Sequence, residues 1–114
     1  MLQFTDPFKI YLFKHRQQVT LSIRVSNHVV DTYRFEQSAF EQLLSACEDR
    51  QGRELDTLGV NWFAQHKHVG KLTEYVRISA WVAGACRDYR ADTRDISELR
   101  EEYLRQLANT MPWD

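Results

Sequence analysis

The chain has 114 residues, of which 43% are hydrophobic and 27% charged, and its net charge is −1. These proportions are typical of a soluble globular protein, and a content of only 4 Gly and 2 Pro argues against linkers and disorder. A charge so close to zero also predicts no strong overall attraction to nucleic acid or to an anionic membrane. We therefore expect a single domain, residues 1–114, that buries a core without metal or disulfides.

The first third of the chain indicates strands. Residues 18–25 alternate between polar and apolar side chains, which is the period of a half-buried strand. A tight turn at His15-Arg16 and a second turn at 26–28 would place a strand on each side of it, Phe8–Lys14 and Val29–Phe35. The prediction is an antiparallel meander with Leu12 opposite Val19, Ile10 opposite Leu21 and Phe8 opposite Ile23, and with Val29, Asp31, Tyr33 and Phe35 along the same inner row.

Helices are expected after the meander. Ser38 and Glu41 have the spacing of a capping box at a first helix, which would end near Gly52. Residues 53–59 indicate a loop, and Val60–Val69 is ambiguous and is interpreted as a second helix. The last helix would take Asp95 as its N-cap and end at Pro112.

The stretch Lys71–Arg90 has two apolar rows at helical spacing, which together make a wide apolar arc. Such a helix would be the central element of the core, covered on more than one side. The predicted fold class is thus α+β, an N-terminal three-stranded antiparallel meander followed by about four helices packed on the sheet.

The expected compartment is the cytoplasm. The N-terminus lacks the basic and apolar segments of a signal peptide, and no apolar run is long enough to span a bilayer. Cys47 and Cys86 occupy apolar positions of predicted helices, so both are expected to be buried, reduced thiols.

No motif for nucleophilic, nucleotide-dependent or zinc-dependent catalysis is present. The one local group of metal-ligand types is His66-Lys67-His68. Two histidines at this spacing diverge on a helix and converge on a strand, and a solvated group at a helix end is the simpler interpretation. We therefore expect no catalytic residue, no metal site and no cofactor.

The outer face of the predicted meander combines aromatic and basic residues, which is typical of surfaces that stack the bases of single-stranded nucleic acid. The simpler alternative is that a helix covers the two aromatic side chains and makes them a second layer of core. The candidate nucleic-acid residues are Lys9, Tyr11, Phe13, Arg24 and Arg34.

A second candidate surface lies on the least apolar side of the predicted central helix. Trp and Arg dominate the energetics of protein interfaces, and Arg77 and Trp81 would be close enough for a cation–π contact on a helix. Trp81 would be either packed in the interior or left for a partner. The candidate partner-binding residues are Arg77, Trp81, Arg87 and Asp88.

The sequence thus favours a small non-catalytic binding protein that acts on another protein as an inhibitor, adaptor or regulator, a type that phages and mobile elements often carry. A homodimer is an open alternative, and a membrane partner is not expected. Two other functions stay open: single-stranded nucleic-acid binding by the outer sheet face, and an enzyme whose site has no recognisable motif.

Overall fold

The computed structural model of the chain describes residues 7–25, 28–70 and 73–109. Most of these residues lie in strands, which form two separate antiparallel sheets. In chain order the elements are β1 Phe8–Phe13, β2 Gln18–Val25, β3 His28–Glu36, α1 Gln37–Ala46, β4 Arg53–Thr57, β5 Val60–Val69, β6 Thr73–Val82, β7 Ala85–Ala91 and α2 Thr93–Ala108.

The N-terminal sheet contains β1, β2 and β3, with β2 in the middle. The three predicted pairs between β1 and β2 are confirmed, as is the pairing of β2 with β3 from Val19 to Ile23. Beyond Ile23 the register shifts, so Val29 lies opposite Arg24. Residues 26–27 of the second predicted turn lie outside the described residues.

The predicted fold class is wrong in its helices. The described residues contain two helices, α1 and α2, instead of about four packed on the sheet. The predicted loop at 53–59, the predicted helix Val60–Val69 and the predicted central helix Lys71–Arg90 are all incorrect. These segments form β4, β5, β6 and β7, which pair in that order in the C-terminal sheet; residues 71–72 lie outside the description.

Two hairpin turns explain why this part of the chain forms strands. Leu58-Gly59 joins β4 to β5, and Ala83-Gly84 joins β6 to β7. All four residues have φ between 49° and 84°. Two consecutive residues with positive φ form a type I′ turn, whose twist matches that of paired strands. A right-handed helix cannot continue through such a pair, so no helix can span Ala83-Gly84.

Both described helices begin at positions that differ from the predicted ones. The N-cap of α1 is Glu36, and no side chain caps it, so the predicted box of Ser38 and Glu41 does not form. The helix also ends earlier than predicted, before residue 47. The N-cap of α2 is Asp92, and Asp95 is the third residue of the helix, where the two carboxylates form a capping box.

The inner faces of both sheets share one hydrophobic core with the two helices. Trp62 on β5 is completely buried, and its ring lies 4.7 Å from the Tyr33 ring and 4.6 Å from the Phe35 ring. The Phe35 ring in turn contacts Phe40 of α1, at 5.5 Å between ring centroids. Aromatic contacts therefore join the N-terminal sheet, the C-terminal sheet and α1 at one point.

Each helix packs against strands of the other half of the chain. α1 follows the N-terminal sheet and contacts chiefly β4 and β5, whereas α2 follows the C-terminal sheet and contacts chiefly β1. The Gln106 side chain of α2 accepts a hydrogen bond from the Leu12 backbone N–H at 2.7 Å and donates one to the Ile10 carbonyl at 2.9 Å. These bonds satisfy backbone groups at the outer edge of β1.

Neither helix in the described part of the chain combines the length and the apolar character that crossing a bilayer requires.

Two leucines of α2 test how this helix is oriented. Leu99 is buried and Leu104 is about half exposed. We expect Leu99→Ala to lower the free energy of unfolding by about 2–5 kcal/mol because it leaves a cavity. Leu104→Ala should change it by about 0.5 kcal/mol or less. Urea unfolding of both variants measures this, and an equal loss in both would contradict the orientation of α2.

Candidate functional site

The outer face of the N-terminal sheet is open, and we call it the N-terminal sheet face. It carries the five predicted nucleic-acid residues, with three small polar residues between them. The five are Lys9, Tyr11, Phe13, Arg24 and Arg34, and the three are Thr20, Ser22 and Thr32. Tyr11 is 51% exposed and Phe13 is 46% exposed. The expectation that a helix covers these two rings is therefore wrong. Since β1 has alternate residues in the core, its other residues must point outward, and no described element lies over Tyr11 or Phe13.

The two aromatic rings of this face are adjacent. Tyr11 and Phe13 lie two residues apart on β1, and their ring centroids are 4.9 Å apart at an interplanar angle of 71°. Across the sheet, Tyr11 is opposite Thr20, which is opposite Arg34. The same row therefore contains an exposed ring, a small polar side chain and a guanidinium group.

The charges on the N-terminal sheet face are mostly positive. Three of the five predicted residues are basic, and the carboxylate on the same face is Glu36, at the end of β3 near Phe13. A cleft of about 550 Å³ borders the face between β1 and α2. Two of its lining residues are the cations Lys9 and Arg105, and four are acidic, namely Asp95, Glu98, Glu101 and Glu102, so the net charge of the lining is negative. A polyanion is repelled from this cleft, so the region favourable to it runs from β1 across to β3.

The second set of predicted residues is divided between the two faces of the C-terminal sheet. Its outer face, which we call the C-terminal sheet face, carries Arg77, Trp81 and Asp88 together with Phe63, Tyr75 and Arg90. Arg87 lies on the opposite face, with its Nη1 3.6 Å from Oδ2 of Asp31. The structure thus groups three of the four predicted residues and separates the fourth.

The predicted cation–π contact between Arg77 and Trp81 requires a helix and does not form on β6. Four residues along a strand span about 13 Å, which is too far for that contact. The cation–π pair on this face joins Arg90 to Tyr75, with the guanidinium carbon 3.7 Å from the ring centroid. Arg77 instead contacts Asp88, at 3.4 Å between Nη2 and Oδ1.

Asp88 is held in its ionised form by its neighbours. It accepts a short hydrogen bond from the hydroxyl of Ser79, a residue that is almost completely buried although it lies on the outer face. The Ser79 hydroxyl, and after it the Arg77 guanidinium, lower the pKa of Asp88 below its ordinary value. Trp81 is 38% exposed, so its ring is accessible to a partner.

Tyr75, Arg90 and Phe63 belong to the C-terminal sheet face but were not among the predicted residues. All three lie in segments that the sequence indicated to be helical. The helical assignment did not predict that the three side chains point to the same face of a sheet. The signal that identifies them is the strand alternation of residues 75–82, in which Val76, Ile78 and Ala80 face the core. The Ala83-Gly84 turn then pairs β6 with β7.

The two cysteines differ in environment. Cys47 is buried, and burial raises the pKa of its thiol from 9.0 to about 12. Cys86 is exposed at the start of β7, so the prediction that both thiols are buried is wrong for Cys86. A thiol as buried as that of Cys47 stays protonated at neutral pH and is a poor nucleophile.

A cleft between β5, β6 and α2 gathers several titratable side chains. It has a volume of about 390 Å³ and is lined by Cys47, Glu48, His66, Glu74 and Arg100, among others. Because β5 is a strand, His66 and His68 both face Glu74, with Nε2 to carboxylate distances of 3.7 and 3.5 Å. In the described part of the chain, no three His, Cys, Asp or Glu side chains are placed to hold one metal ion.

Comparison with known proteins finds no matching family model, no similar curated protein and no similar solved structure. The candidate sites are therefore defined by their geometry alone.

The buried thiol predicts a loss of stability in alkaline solution. Above pH 9 the unfolded chain releases the Cys47 proton while the folded chain retains it up to about pH 12. The free energy of unfolding then falls by as much as about 1.4 kcal/mol for each pH unit in this window. Urea unfolding in the presence of a reductant at several pH values measures this fall.

Cys47→Ala should lose this part of the pH dependence, whereas Cys86→Ala, which changes an exposed thiol, should keep it. The same alkaline slope in wild type and Cys47→Ala would contradict the burial of this thiol.

Proposed function

We propose that the protein binds single-stranded nucleic acid through the N-terminal sheet face. The observation that carries this proposal is the pair of adjacent rings, Tyr11 and Phe13, each about half exposed on an open and mostly basic sheet face. Exposed aromatic rings on a sheet provide stacking surfaces for bases, and every base can stack in this way. Such a surface binds with little dependence on sequence.

The geometry of the rings favours a single strand over a duplex. Because the Tyr11 and Phe13 rings are inclined at 71°, bases stacked on both would be splayed apart. The bases of a single strand can take this arrangement, whereas paired bases in a duplex are held parallel. The phosphates would follow Arg34 and Arg24 across the sheet, away from the acidic cleft beside α2.

The expected affinity is modest and depends on salt. Three cations, Lys9, Arg24 and Arg34, lie on this face, and the net charge of the whole chain is −1. For three phosphate contacts to a single strand, the logarithm of the binding constant should fall with the logarithm of salt concentration with a slope of about −2.

Protein binding through the C-terminal sheet face is the second function that we propose. The observation that favours it is Trp81, which is 38% exposed beside the pair of Arg77 and Asp88. A large aromatic side chain next to an arginine is typical of the residues that contribute most to interfaces. We propose a cytoplasmic location because both cysteines are free thiols, one of them exposed.

Substitution of the two rings tests the nucleic-acid proposal. Tyr11→Ala and Phe13→Ala should each weaken binding of a short fluorescent oligothymidylate by about 1–3 kcal/mol, because each removes one stacking surface. Fluorescence anisotropy measures the affinity, and urea unfolding should show little change because both side chains are exposed.

Trp81→Ala is the matched control, since it removes an exposed ring from the other sheet and should leave the affinity for the oligonucleotide unchanged. Equal binding by wild type and the Tyr11→Ala/Phe13→Ala double variant would refute the proposed site. Binding by wild type that does not weaken as salt is raised would refute the role of the three cations.

A further inference from the structure

Charges on the C-terminal sheet face are segregated along the strands. The strand register places its outward side chains in rows that cross the sheet. Among the described residues of this face, three cations lie in the rows nearer the β5–β6 connection, and three carboxylates lie in the rows nearer the β6–β7 turn. The cations are Lys67, Arg77 and Arg90, and the carboxylates are Glu54, Asp56 and Asp88.

We infer that this face docks against the same face of a second copy of the chain and forms a two-fold symmetric dimer. The inference makes the proposed protein-binding function specific and rests on it, and it does not depend on nucleic-acid binding. An isologous interface requires a surface that is complementary to itself. A face that is basic at one end and acidic at the other meets this requirement when the two copies are antiparallel.

The charge pattern also selects the direction of the two-fold axis. An axis parallel to the strands would stack basic rows on basic rows, which is repulsive. An axis that lies in the interface and runs perpendicular to the strands reverses the order of the rows. The row of Arg77 and Arg90 then lies over the row of Ser79 and Asp88 in the second copy. Arg90 then faces Asp88 of the other copy, and this contact occurs twice.

The same register brings aromatic side chains together. Trp81 lies one row beyond Asp88, and Tyr75 lies one row beyond Arg90 in the other direction. When the axis lies between the Arg90 row and the Asp88 row, Trp81 of one copy faces Tyr75 of the other. The exposed Trp81 ring and the Tyr75 ring, which already carries the Arg90 guanidinium, would pack against each other at two symmetric positions.

The size of the face is sufficient for a reversible dimer. β5 and β6 have ten residues each and are about 33 Å long, whereas β4 has five residues and β7 has seven; the four strands together are about 15 Å wide. A footprint of about 500 Å² per copy is at the small end of specific interfaces. We therefore expect a dimer that dissociates on dilution and on addition of salt. The inner faces of both sheets line the core, so the N-terminal sheet face stays outside this interface.

Complementary charge reversals on β7 test the inference. At each of the two symmetric contacts, Asp88→Lys places one cation against Arg90 of the other copy, and Arg90→Glu places one carboxylate against Asp88. Each variant alone should dimerise at least about tenfold more weakly than wild type, because like charges then meet at two positions. An equimolar mixture of the two variants should dimerise again, because both contacts become attractive in the heterodimer.

Analytical ultracentrifugation of the whole chain, from low micromolar to near-millimolar concentration, measures the association. The wild-type mass should rise from 13.6 kDa toward twice that value. Circular dichroism checks that the variants fold. Trp81→Ala removes a large aromatic side chain from the interface without changing its charge, and it should also weaken dimerisation. A wild-type chain that stays monomeric throughout, or a dimer that neither charge reversal nor Trp81→Ala weakens, would overturn the inference.

A charge reversal on the other sheet separates this inference from nucleic-acid binding. Arg34→Glu should leave the mass unchanged and weaken oligothymidylate binding, whereas Asp88→Lys should weaken the dimer and leave the affinity of each chain for oligothymidylate unchanged. Loss of the dimer by Arg34→Glu would place the interface on the N-terminal sheet face and would likewise overturn the inference.

Discussion

The packing of Trp62 between the two sheets is the contact on which the rest of this structure depends. Its ring is completely buried, and it contacts Tyr33 and Phe35 of the N-terminal sheet while belonging to the C-terminal sheet. A buried aromatic side chain of this size contributes several kcal/mol to stability, so one face of each sheet must remain in the core. The other face of each sheet is then left to solvent, and both candidate sites lie on these outer faces.

Each helix packs against the sheet from the other half of the chain, and this packing limits where a partner can bind. α1 follows the N-terminal sheet yet packs on β4 and β5, and α2 follows the C-terminal sheet yet packs along β1. The Gln106 side chain occupies backbone hydrogen-bonding groups at the edge of β1, so that edge is not open for pairing with another strand. The broad outer faces are therefore better binding surfaces than the edge of β1.

The N-terminal sheet could be predicted from the sequence because its signals agree with one another. Residues 18–25 alternate strictly, and the short turn at His15-Arg16 allows one register that keeps the apolar rows on the same side. The outward orientation of Tyr11 and Phe13 follows from that register. Their exposure could not be predicted, because it depends on how many helices the rest of the chain supplies.

The C-terminal sheet could not be predicted because the apolar residues of residues 75–82 fit a buried helix and a strand equally well. Residues 75–82 have apolar residues at helical spacing, but Val76, Ile78 and Ala80 also alternate with the outward residues of a strand. The deciding feature is the Ala83-Gly84 turn, whose φ values of 51° and 82° end β6 and begin β7. The predicted contact between Arg77 and Trp81 requires the spacing of a helix. Because both residues lie on the strand β6, this contact does not form.

The most direct test of the central claim, that the N-terminal sheet face binds single-stranded nucleic acid, is an amide chemical-shift titration of the labelled protein with oligothymidylate. We expect that the shifted signals belong to β1, β2 and β3, with the largest changes around Tyr11, Phe13 and Arg34, and that signals from β5 to β7 stay in place. Shifts confined to the C-terminal sheet, or no shifts at a saturating concentration of oligonucleotide, would contradict it.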